Sequence, residues 1–430
     1  MTLTHRILIG MIAGISVGLI LNLVIGTDPT AMSATGQWLQ ANVIDGVFDA
    51  VGQIFIKSLK LLVVPMVFVS LVCGSASLGG HSRMGPMAIK TIGLYLFTTA
   101  LAITVALIAG SIIQPGAGVD LVAATNFDAS STPSLKDTII NIFPSNPIQA
   151  MAEGNMLQVI VFSLLMGIAI ARSDNNVARN MLAFFNDLND VILKMVMLLM
   201  QLAPYGVFCL LVKLFASLGF DAVLDLAAYF FTVLAVLFIH GLGVYGLLLK
   251  GFSGLNPFIF FRKMWSVMVF GFSTASSNAT LPVTMRTVEK NLGVDNKVAS
   301  FSLPLGATIN MDGTSIMQGV ATVFIAQAYN LDIGLSGYLM VIVTATLASI
   351  GTAGVPGVGL VTLAMVLQQV GLPLEGIALI IGVDRLLDMV RTAVNITGDA
   401  MVSTVVAKSE GLLDMECYNN TNPSAAEKAV

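Results

Sequence analysis

Charged residues are scarce in this chain of 430 residues. They make up 10% of the sequence, whereas 56% of the residues are hydrophobic and the mean hydropathy is +0.89. Soluble domains carry roughly a quarter charged residues, so this composition excludes an ordinary soluble protein. We therefore expect an all-α polytopic membrane protein that lies in a lipid bilayer.

Cysteine and histidine are also rare, with three residues of each. Cys73, Cys209 and Cys417 form no CxxC pair and no disulfide framework, and the histidines have no metal-ligand spacing. Redox chemistry and a transition-metal centre are therefore not expected, nor is an organic cofactor. The net charge of −4 and the isoelectric point near 5.3 give no sign of a nucleic-acid partner.

Apolar runs long enough to cross a bilayer recur in the first 250 residues. They cover residues 6–26, 46–73, 88–114, 155–171, 187–215 and 225–249. The first run exceeds the roughly 7 to 15 apolar residues of a signal peptide and lacks a cleavage site, so we predict a membrane helix. Basic residues concentrate at every second connection, from Arg6 to Lys250, which predicts a cytoplasmic N-terminus.

The next apolar segment has basic residues at both ends. Only 22 residues separate Lys263 from Arg286, and a single crossing would place one basic cluster outside. The middle of the segment, STASSNATLP, is polar and closes with a proline, as hairpin tips do. We therefore predict a re-entrant hairpin that enters from the cytoplasm, with its tip buried in protein or lining a watery cavity.

No lysine or arginine occurs over the 87 positions between Lys297 and Arg385. Within them the loop GTAGVPGVG, residues 351–359, separates two apolar arms of about 12 residues, each shorter than the roughly 20 that a crossing needs. A flexible loop is the other interpretation; a phosphate-binding loop would need GK[ST]. We predict a second hairpin that enters from outside. Two interrupted segments of this kind indicate inverted repeats that meet near the bilayer midplane.

An Asn-x-Asp-Gly run interrupts the apolar helix between the two hairpins. Asn310, Asp312 and Thr314, beside Gly313, make a poor helix interior, so local unwinding is expected. Carbonyl and carboxylate oxygens are the ligands that hard cations prefer. The run therefore indicates a cation site, with a polar kink satisfied by neighbouring helices as the alternative.

The last apolar segment carries five charged residues in DRLLDMVRTAVNITGD, residues 384–399. At about 100° per residue, one arc of about 100° holds Asp384, Asp388, Arg391, Thr392, Asn395 and Asp399. Five charges at the centre of a lipid-facing helix would cost on the order of 13 to 18 kcal/mol. This face is therefore predicted to look into protein, water or bound ions and to mark an ion or substrate pathway. Internal ion pairs between Arg391 and Asp388 or Asp384 are the alternative.

Four motifs in this order resemble the glutamate transporter family, the dicarboxylate/amino acid:cation symporters. They are STASSNATLP, NMDGT, SIGTAGVPG and LDMVRTAVNITGD, and the resemblance covers KSLKLLVVPMVF and nearly the whole chain to about residue 410. It implies eight transmembrane helices plus two re-entrant helical hairpins with inverted repeats, in a homotrimer that works by an elevator mechanism.

The resemblance also implies a division into domains. A scaffold would comprise residues 1–87 (helices 1 and 2) and 116–224 (helices 4 and 5). A transport domain would comprise residues 88–115 (helix 3) and 225–410 (helix 6, hairpin 1 at about 256–292, helix 7, hairpin 2 at about 335–371, and helix 8). Residues 411–430 would be a cytoplasmic tail, and its polar part beyond Leu413 is expected to be disordered.

A substrate site follows from the resemblance. Its residues would be Ser276, Ser277, Thr314, Val355, Gly359, Asp388, Arg391, Thr392 and Asn395. In the family, the residue at Asp388 takes the substrate ammonium together with the carbonyl at Val355. The arginine at Arg391 pairs with the side-chain carboxylate, which suits its planar fork. The backbone at Ser277 and the amide at Asn395 hold the alpha-carboxylate.

Sodium is implied as the coupling ion, at three sites. One would use Gly306, Asn310, Asn395 and Asp399, a second Thr308, Ser349, Ile350 and Thr352, and a third Tyr95, Thr98, Thr99, Asn310 and Asp312. Most of these ligands are neutral oxygens around one or two carboxylates, which suits a hard monovalent cation.

The implied function is sodium-coupled uptake of aspartate or glutamate, without enzymatic activity, at the inner (plasma) membrane with both termini in the cytoplasm. C4-dicarboxylate members carry an Asp-Arg pair like Asp384-Arg385, which keeps that substrate class open. They have a serine at the position of Asp388, however, so Asp388 favours an amino acid. Ala275 and Met389 occupy the two positions where other members carry an arginine, and we hypothesise that Arg385 reaches the same region.

Two other classes of protein are weighed against a carrier. An intramembrane aspartyl protease would need two facing aspartates, such as Asp312 and Asp399, but its GxGD signature is absent, since ITGD stands at residues 396–399. A passive ion channel would also use polar helices. Saturable uptake that depends on sodium separates a carrier from both.

Overall fold

The computed structural model describes residues 3–25, 32–78, 85–119, 143–218, 221–350, 352, 354 and 357–420. Helices supply nearly all the regular structure in these ranges. Their single isolated β-bridge joins Val294 to Leu413, and they contain no strand. The prediction of an all-α protein is therefore confirmed for the described part of the chain.

The first half of the chain forms a helical bundle. Its helices are α1 (Leu3–Ile25), α2 (Ala34–Trp38), α3 (Asp49–Leu78), α4 (Gly85–Ile113), α5 (Pro147–Glu153), α6 (Met156–Ala171), α7 (Asn175–Met200) and α8 (Ala203–Leu218). A π-helical segment, Leu39–Phe48, joins α2 to α3. Helix α1 packs along α8, while α3 packs against α6, α7 and α8.

Three glycines at four-residue spacing explain the close contact between α1 and α8. A Cβ atom added at Gly10 would lie 2.5 Å from the carbonyl oxygen of Pro204, and one at Gly14 would lie 2.8 Å from that of Phe208. Gly18 continues the same stripe. Because lipid chains are as apolar as the helices, such small-residue stripes let membrane helices gain packing that larger side chains would prevent.

The apolar run at residues 187–215 was predicted as one crossing, and the structure divides it. Helix α7 ends at Met200 and α8 begins at Ala203, with a bend of 48° between them. Pro204 lies in the first turn of α8. At this position its missing N–H costs no helical hydrogen bond, but proline cannot continue the preceding helix. The described part of the region predicted to hold helices 4 and 5 therefore contains α5 to α8.

The second half of the chain supplies the interrupted helices. Its elements are α9 (Asp221–Phe238), α10 (Tyr245–Ser253), α11 (Pro257–Thr274), α12 (Ser277–Lys290), α13 (Asn296–Ile309), α14 (Asp312–Ala328), α15 (Gly334–Ser349), α16 (Val358–Gln369), α17 (Ile377–Ser409) and α18 (Met415–Asn419). A π-helical segment, Ile239–Val244, joins α9 to α10, and a 3₁₀ turn, Leu374–Gly376, precedes α17.

Two helix pairs coincide with the predicted hairpins. Helices α11 and α12 pack together, and Lys263 near the start of α11 donates to the carbonyl of Asn291 just after α12, so the two arms run in opposite directions. Helices α15 and α16 pack together in the same way around Val341 and Val366. The chain also unwinds between Ile309 and Asp312, as the Asn-x-Asp-Gly run predicted.

Within the described residues, two helices have the length and hydropathy of a membrane crossing, Pro86–Ile113 and Leu226–Ser253. The bent pair of α7 and α8 would be a third. Helix α14 has only 17 residues because the chain unwinds before Asp312, and α17 carries the charged face. The count of eight crossings stays a prediction.

The expectation of a disordered tail was wrong for residues 414–420. Helix α18 lies against hairpin 1, where the buried ammonium of Lys263 donates to the carbonyl oxygens of Cys417 and Tyr418 at 2.7 and 2.8 Å. The hydroxyl of Tyr418 donates to the carbonyl of Asn256 at 2.9 Å. Burial raises the pKa of Tyr418, so this donor stays protonated in neutral solution.

Replacing Lys263 by methionine is expected to release α18 and lower the stability of the protein. Each hydrogen bond to a charged group contributes roughly 1.5 to 3 kcal/mol, and the variant leaves carbonyls of the tail and of hairpin 1 without their donor. The midpoint of thermal unfolding in detergent should fall, and the tail should become a protease target. Lys250→Met, at an exposed position of α10, is the matched control. Equal midpoints for both variants would contradict the assignment.

Candidate functional site

The charged face of α17 forms a network of buried ion pairs. In Arg391, Nη1 lies 2.8 Å from Oδ1 of Asp384, and Nη2 donates to Oδ1 of Asp388 at 2.9 Å. The other oxygen of Asp388 accepts from Nη1 of Arg385 at 3.2 Å and from the backbone N–H of Gly357 at 3.3 Å. The ion pairs that the sequence offered as an alternative are therefore present, and the predicted burial of this face is confirmed.

Arg391 retains hydrogen-bonding capacity despite these contacts. Its side chain is 1% exposed, yet within the described residues Nε and Nη1 have no hydrogen-bond partner. Nη1 nevertheless forms a close, buried ion pair with Asp384 at 2.8 Å. A buried guanidinium donor without an acceptor is costly, so the free Nε–H favours binding of a further oxygen at this side of the guanidinium.

Glycines bring the neighbouring elements against this arginine. A Cβ atom added at Gly359, in the first turn of α16, would lie 3.3 and 3.4 Å from Nη1 and Nη2 of Arg391. One added at Gly313, in the first turn of α14, would lie 2.7 Å from the carbonyl oxygen of Arg391. Larger residues at these positions would push hairpin 2 and α14 away from α17.

The tips of the two hairpins meet. Ala275 has a φ of 48° and ends α11, and Ser276 then caps α12 by accepting from the N–H of Ala279 at 3.2 Å. The hydroxyl of Ser276 also donates to the carbonyl of Gly354 at 2.7 Å. Ser277 lies beside Gly354, since a Cβ atom added at Gly354 would lie 3.0 Å from the Cβ atom of Ser277. Val355 lies outside the described residues, so its predicted role stays a prediction.

Asn395 and Thr392 complete the α17 face. The N–H of Gly313 donates to Oδ1 of Asn395 at 2.7 Å, which ties α17 to the unwound start of α14. Thr392 donates to the carbonyl of Asp388 within its own helix. Thr314 is buried one residue beyond Gly313. Apart from Val355, the predicted substrate residues thus come from both hairpins, α14 and α17, and the hydrogen bonds and contacts given above link these elements.

Oxygen-bearing side chains also gather around Asn310, where α13 ends. The amide of Asn310 donates to Oδ1 of Asp399 at 2.9 Å and accepts from Thr98 at 3.2 Å. A Cβ atom added at Gly306 would lie 2.5 Å from Asp399 Oδ1 and 2.7 Å from the Tyr95 hydroxyl. Asn310 therefore contacts one residue of the first predicted sodium set, Asp399, and one of the third, Thr98.

Asp312 is held by three side chains. Oδ1 accepts from Thr99 at 2.6 Å, whereas Oδ2 accepts from the hydroxyl of Tyr245 at 2.7 Å and lies 3.2 Å from Nε2 of His240. Thr99 was among the predicted residues, but His240 and Tyr245 were missed. Their only signal in the sequence is a histidine and a tyrosine inside an apolar helix.

The second predicted sodium set is only partly assembled. Ser349, Ile350 and Thr352 are neighbours at the end of α15, and the Ser349 and Thr352 hydroxyls donate to carbonyls one helical turn earlier. Thr308 donates within α13. Gly354 lies against the carbonyl of Ala307, next to Thr308, so the hairpin does approach α13. The site itself stays a prediction.

Comparison with known proteins decides the family. Residues 3–409 match the model of the sodium:dicarboxylate symporter family. The chain belongs to this family. It is 33% identical to the proton/sodium-glutamate symport protein of Bacillus caldotenax, over 95% of this chain and 96% of the relative.

Two further relatives show that printed names within the family differ in substrate. Identity to the proton/glutamate-aspartate symporter of Escherichia coli (strain K12) is 33%, over 96% of this chain and 94% of the relative. Identity to the C4-dicarboxylate transport protein 1 of Mesorhizobium japonicum is 35%, over 84% and 77%. The family consists of transporters rather than enzymes, and membership implies that this chain is an integral membrane protein.

Proposed function

We propose that the protein is a secondary active symporter that takes up aspartate or glutamate together with sodium ions by an elevator mechanism. The buried pair of Asp388 and Arg391, 2.9 Å apart and next to Gly357 and Gly359 of hairpin 2, carries this proposal. The pair offers an anion for an ammonium group and a guanidinium for a carboxylate. An acidic amino acid presents both groups.

The energetics favour a substrate that replaces the Asp388–Arg391 ion pair with its own two charged groups over one that binds beside the intact pair. Separating a buried ion pair leaves two unpaired charges, which costs about 3 to 5 kcal/mol. A substrate that puts its ammonium on Asp388 and its side-chain carboxylate on Arg391 keeps both charges paired. The buried Nε of Arg391, which has no hydrogen-bond partner in the described residues, supplies a further donor for a substrate oxygen. Asn395 and Ser277 would then hold the alpha-carboxylate.

The cation would bind next to the substrate. The proposed ligands lie in hydrogen-bond contact or close approach, and most of their ligand atoms are neutral oxygens. They are Asn310, Asp312, Asp399 and, in α4, Tyr95, Thr98 and Thr99. Relatives whose printed names include sodium support this ion. Binding of cation and substrate around the same helix break, at Asn310 and Met311, would couple the two.

A C4-dicarboxylate symporter is the second candidate. Arg385 reaches Asp388 at 3.2 Å and shares that carboxylate with Arg391, so a dicarboxylate without an ammonium group could bind while Asp388 stays paired. The similarity to a C4-dicarboxylate transport protein supports this reading.

The remaining features of the proposal concern assembly and location. They comprise eight crossings with two re-entrant hairpins, a scaffold (1–87 and 116–224) that holds a homotrimer, and a moving transport domain (88–115 and 225–410). The inner membrane is the proposed location, with both termini in the cytoplasm. The positive-inside pattern and the tight packing of α1 against α8 support this arrangement.

Uptake by proteoliposomes tests the proposal. Labelled aspartate should accumulate under an inward sodium gradient, and uptake should collapse when choline replaces sodium. Unlabelled glutamate should compete, whereas serine and cystine should not. Competition by succinate alone would favour the C4-dicarboxylate reading. Non-saturable flux would indicate a channel, and casein cleavage without sodium-driven uptake would favour a protease.

A further inference from the structure

His240 and Tyr245 converge on one oxygen of a carboxylate although they lie five residues apart. In an α-helix, residues five apart point about 140° away from each other. The segment Ile239–Val244 is π-helical, however, and the N–H of Tyr245 donates to the carbonyl of His240, five residues back. This pattern places the two side chains nearly over one another, with ring centroids 4.7 Å apart.

Both side chains are fully buried and both end on Oδ2 of Asp312. The opposite oxygen, Oδ1, accepts only from Thr99 among the hydrogen bonds of the described residues. The carboxylate thus has one oxygen fixed by the π-helical segment and one on the side of α4, where Thr99 lies. We assign the ring hydrogen to Nε2, because Oδ2 can only accept.

The surrounding helices are shaped around this contact. A Cβ atom added at Gly398, in α17, would collide with the hydroxyl of Tyr245 and lie 2.7 Å from Nδ2 of Asn310. Gly398 therefore makes room for the Tyr245 hydroxyl next to the amide of Asn310, which donates to Asp399. A π-helical turn inside a long apolar helix is rare and is frequently found at functional sites.

We propose that His240 and Tyr245 are positioning residues of the cation site at Asp312: they hold Oδ2 so that Oδ1, together with Thr99, faces the bound sodium ion. The inference rests on the proposed sodium coupling and adds two residues to it. Groups that orient a metal-binding carboxylate from behind typically change metal affinity about ten- to a hundredfold when removed.

Sodium titration of thermal unfolding tests this inference without any substrate. The purified protein is stabilised by an ion that binds only the folded state, so the unfolding midpoint reports the sodium affinity, with choline chloride as the ionic-strength control. Tyr245→Phe, which removes one hydroxyl, and His240→Ala should each raise the half-saturating sodium concentration at least about tenfold. His240→Gln keeps a donor at the Nε2 position and should restore most of the affinity.

Tyr229→Phe is the matched control, because Tyr229 is also fully buried in α9 but its hydroxyl has no hydrogen-bond partner in the described residues. It should leave the sodium dependence unchanged. Wild-type sodium affinity in Tyr245→Phe, or an equal loss in Tyr229→Phe, would overturn the inference. If His240→Ala fails to fold, Tyr245→Phe and His240→Gln decide. Failure of the proposed sodium coupling would show separately, because the wild type itself would then gain no stability from sodium.

Discussion

Replacing Arg391 by cysteine is expected to abolish uptake of aspartate and glutamate. The guanidinium is buried between Asp384 and Asp388, and its Nε has no hydrogen-bond partner in the described part of the chain, whereas a thiol cannot replace its planar fork. Truncating one partner of a buried charge pair costs about 2 to 5 kcal/mol, which corresponds to roughly thirty- to several thousandfold in affinity. Competition binding with labelled aspartate at saturating sodium measures the loss, and unchanged affinity would refute the role assigned to Arg391.

Two companion variants separate recognition from folding. Arg391→Lys keeps a cation beside Asp384 and Asp388 but loses the two-pronged geometry, so it should fold and still bind aspartate weakly. Arg385→Cys removes the less buried arginine that shares Asp388. It should affect aspartate affinity less than Arg391→Cys does. Neutral amino acids such as serine should compete better in Arg391→Cys than in the wild type, because the side-chain end of the site no longer demands an anion.

The interrupted helices could be predicted from the sequence because their signals are local. STASSNATLP placed the tip of hairpin 1 between α11 and α12, and the structure begins α12 at Ser277. The Asn-x-Asp-Gly run placed the break that the structure shows at Asn310 and Met311. Helical spacing alone grouped the charged face of α17, whose six members are all buried.

Features that depend on tertiary contacts could not be found in this way. The π-helical turn at His240 contains two glycines, but glycines are also frequent in ordinary membrane helices, so they do not identify it. What marks the turn is the carboxylate of Asp312, which His240 and Tyr245 share. The break between α7 and α8 was hidden because both flanks are apolar and only Pro204 marks it. Helix α18 was missed because a polar segment was taken to be disordered, although the buried Lys263 provides its anchor.

Replacing Asp388 by serine is expected to remove amino acids from the substrate range while sparing C4-dicarboxylates. The resemblance to the family implies a serine at this position in dicarboxylate carriers, and an ammonium group would find only a hydroxyl there. Arg391 would keep its contact to Asp384 at 2.8 Å and stay available to a carboxylate. Losing the hydrogen-bonded counter-ion costs about 2 to 5 kcal/mol, so aspartate affinity should fall roughly thirtyfold or more.

Asp384→Ser is the matched control for this change, because Asp384 also pairs with Arg391 but has no predicted contact with the ammonium group. It should alter aspartate and succinate binding to a similar degree, since it acts on the guanidinium that both substrates use. The ratio of succinate to aspartate affinity is therefore the decisive measurement. It should rise in Asp388→Ser and stay near the wild-type value in Asp384→Ser. If the ratio rises equally in both variants, Asp388 acts only through Arg391, and the ammonium must bind elsewhere.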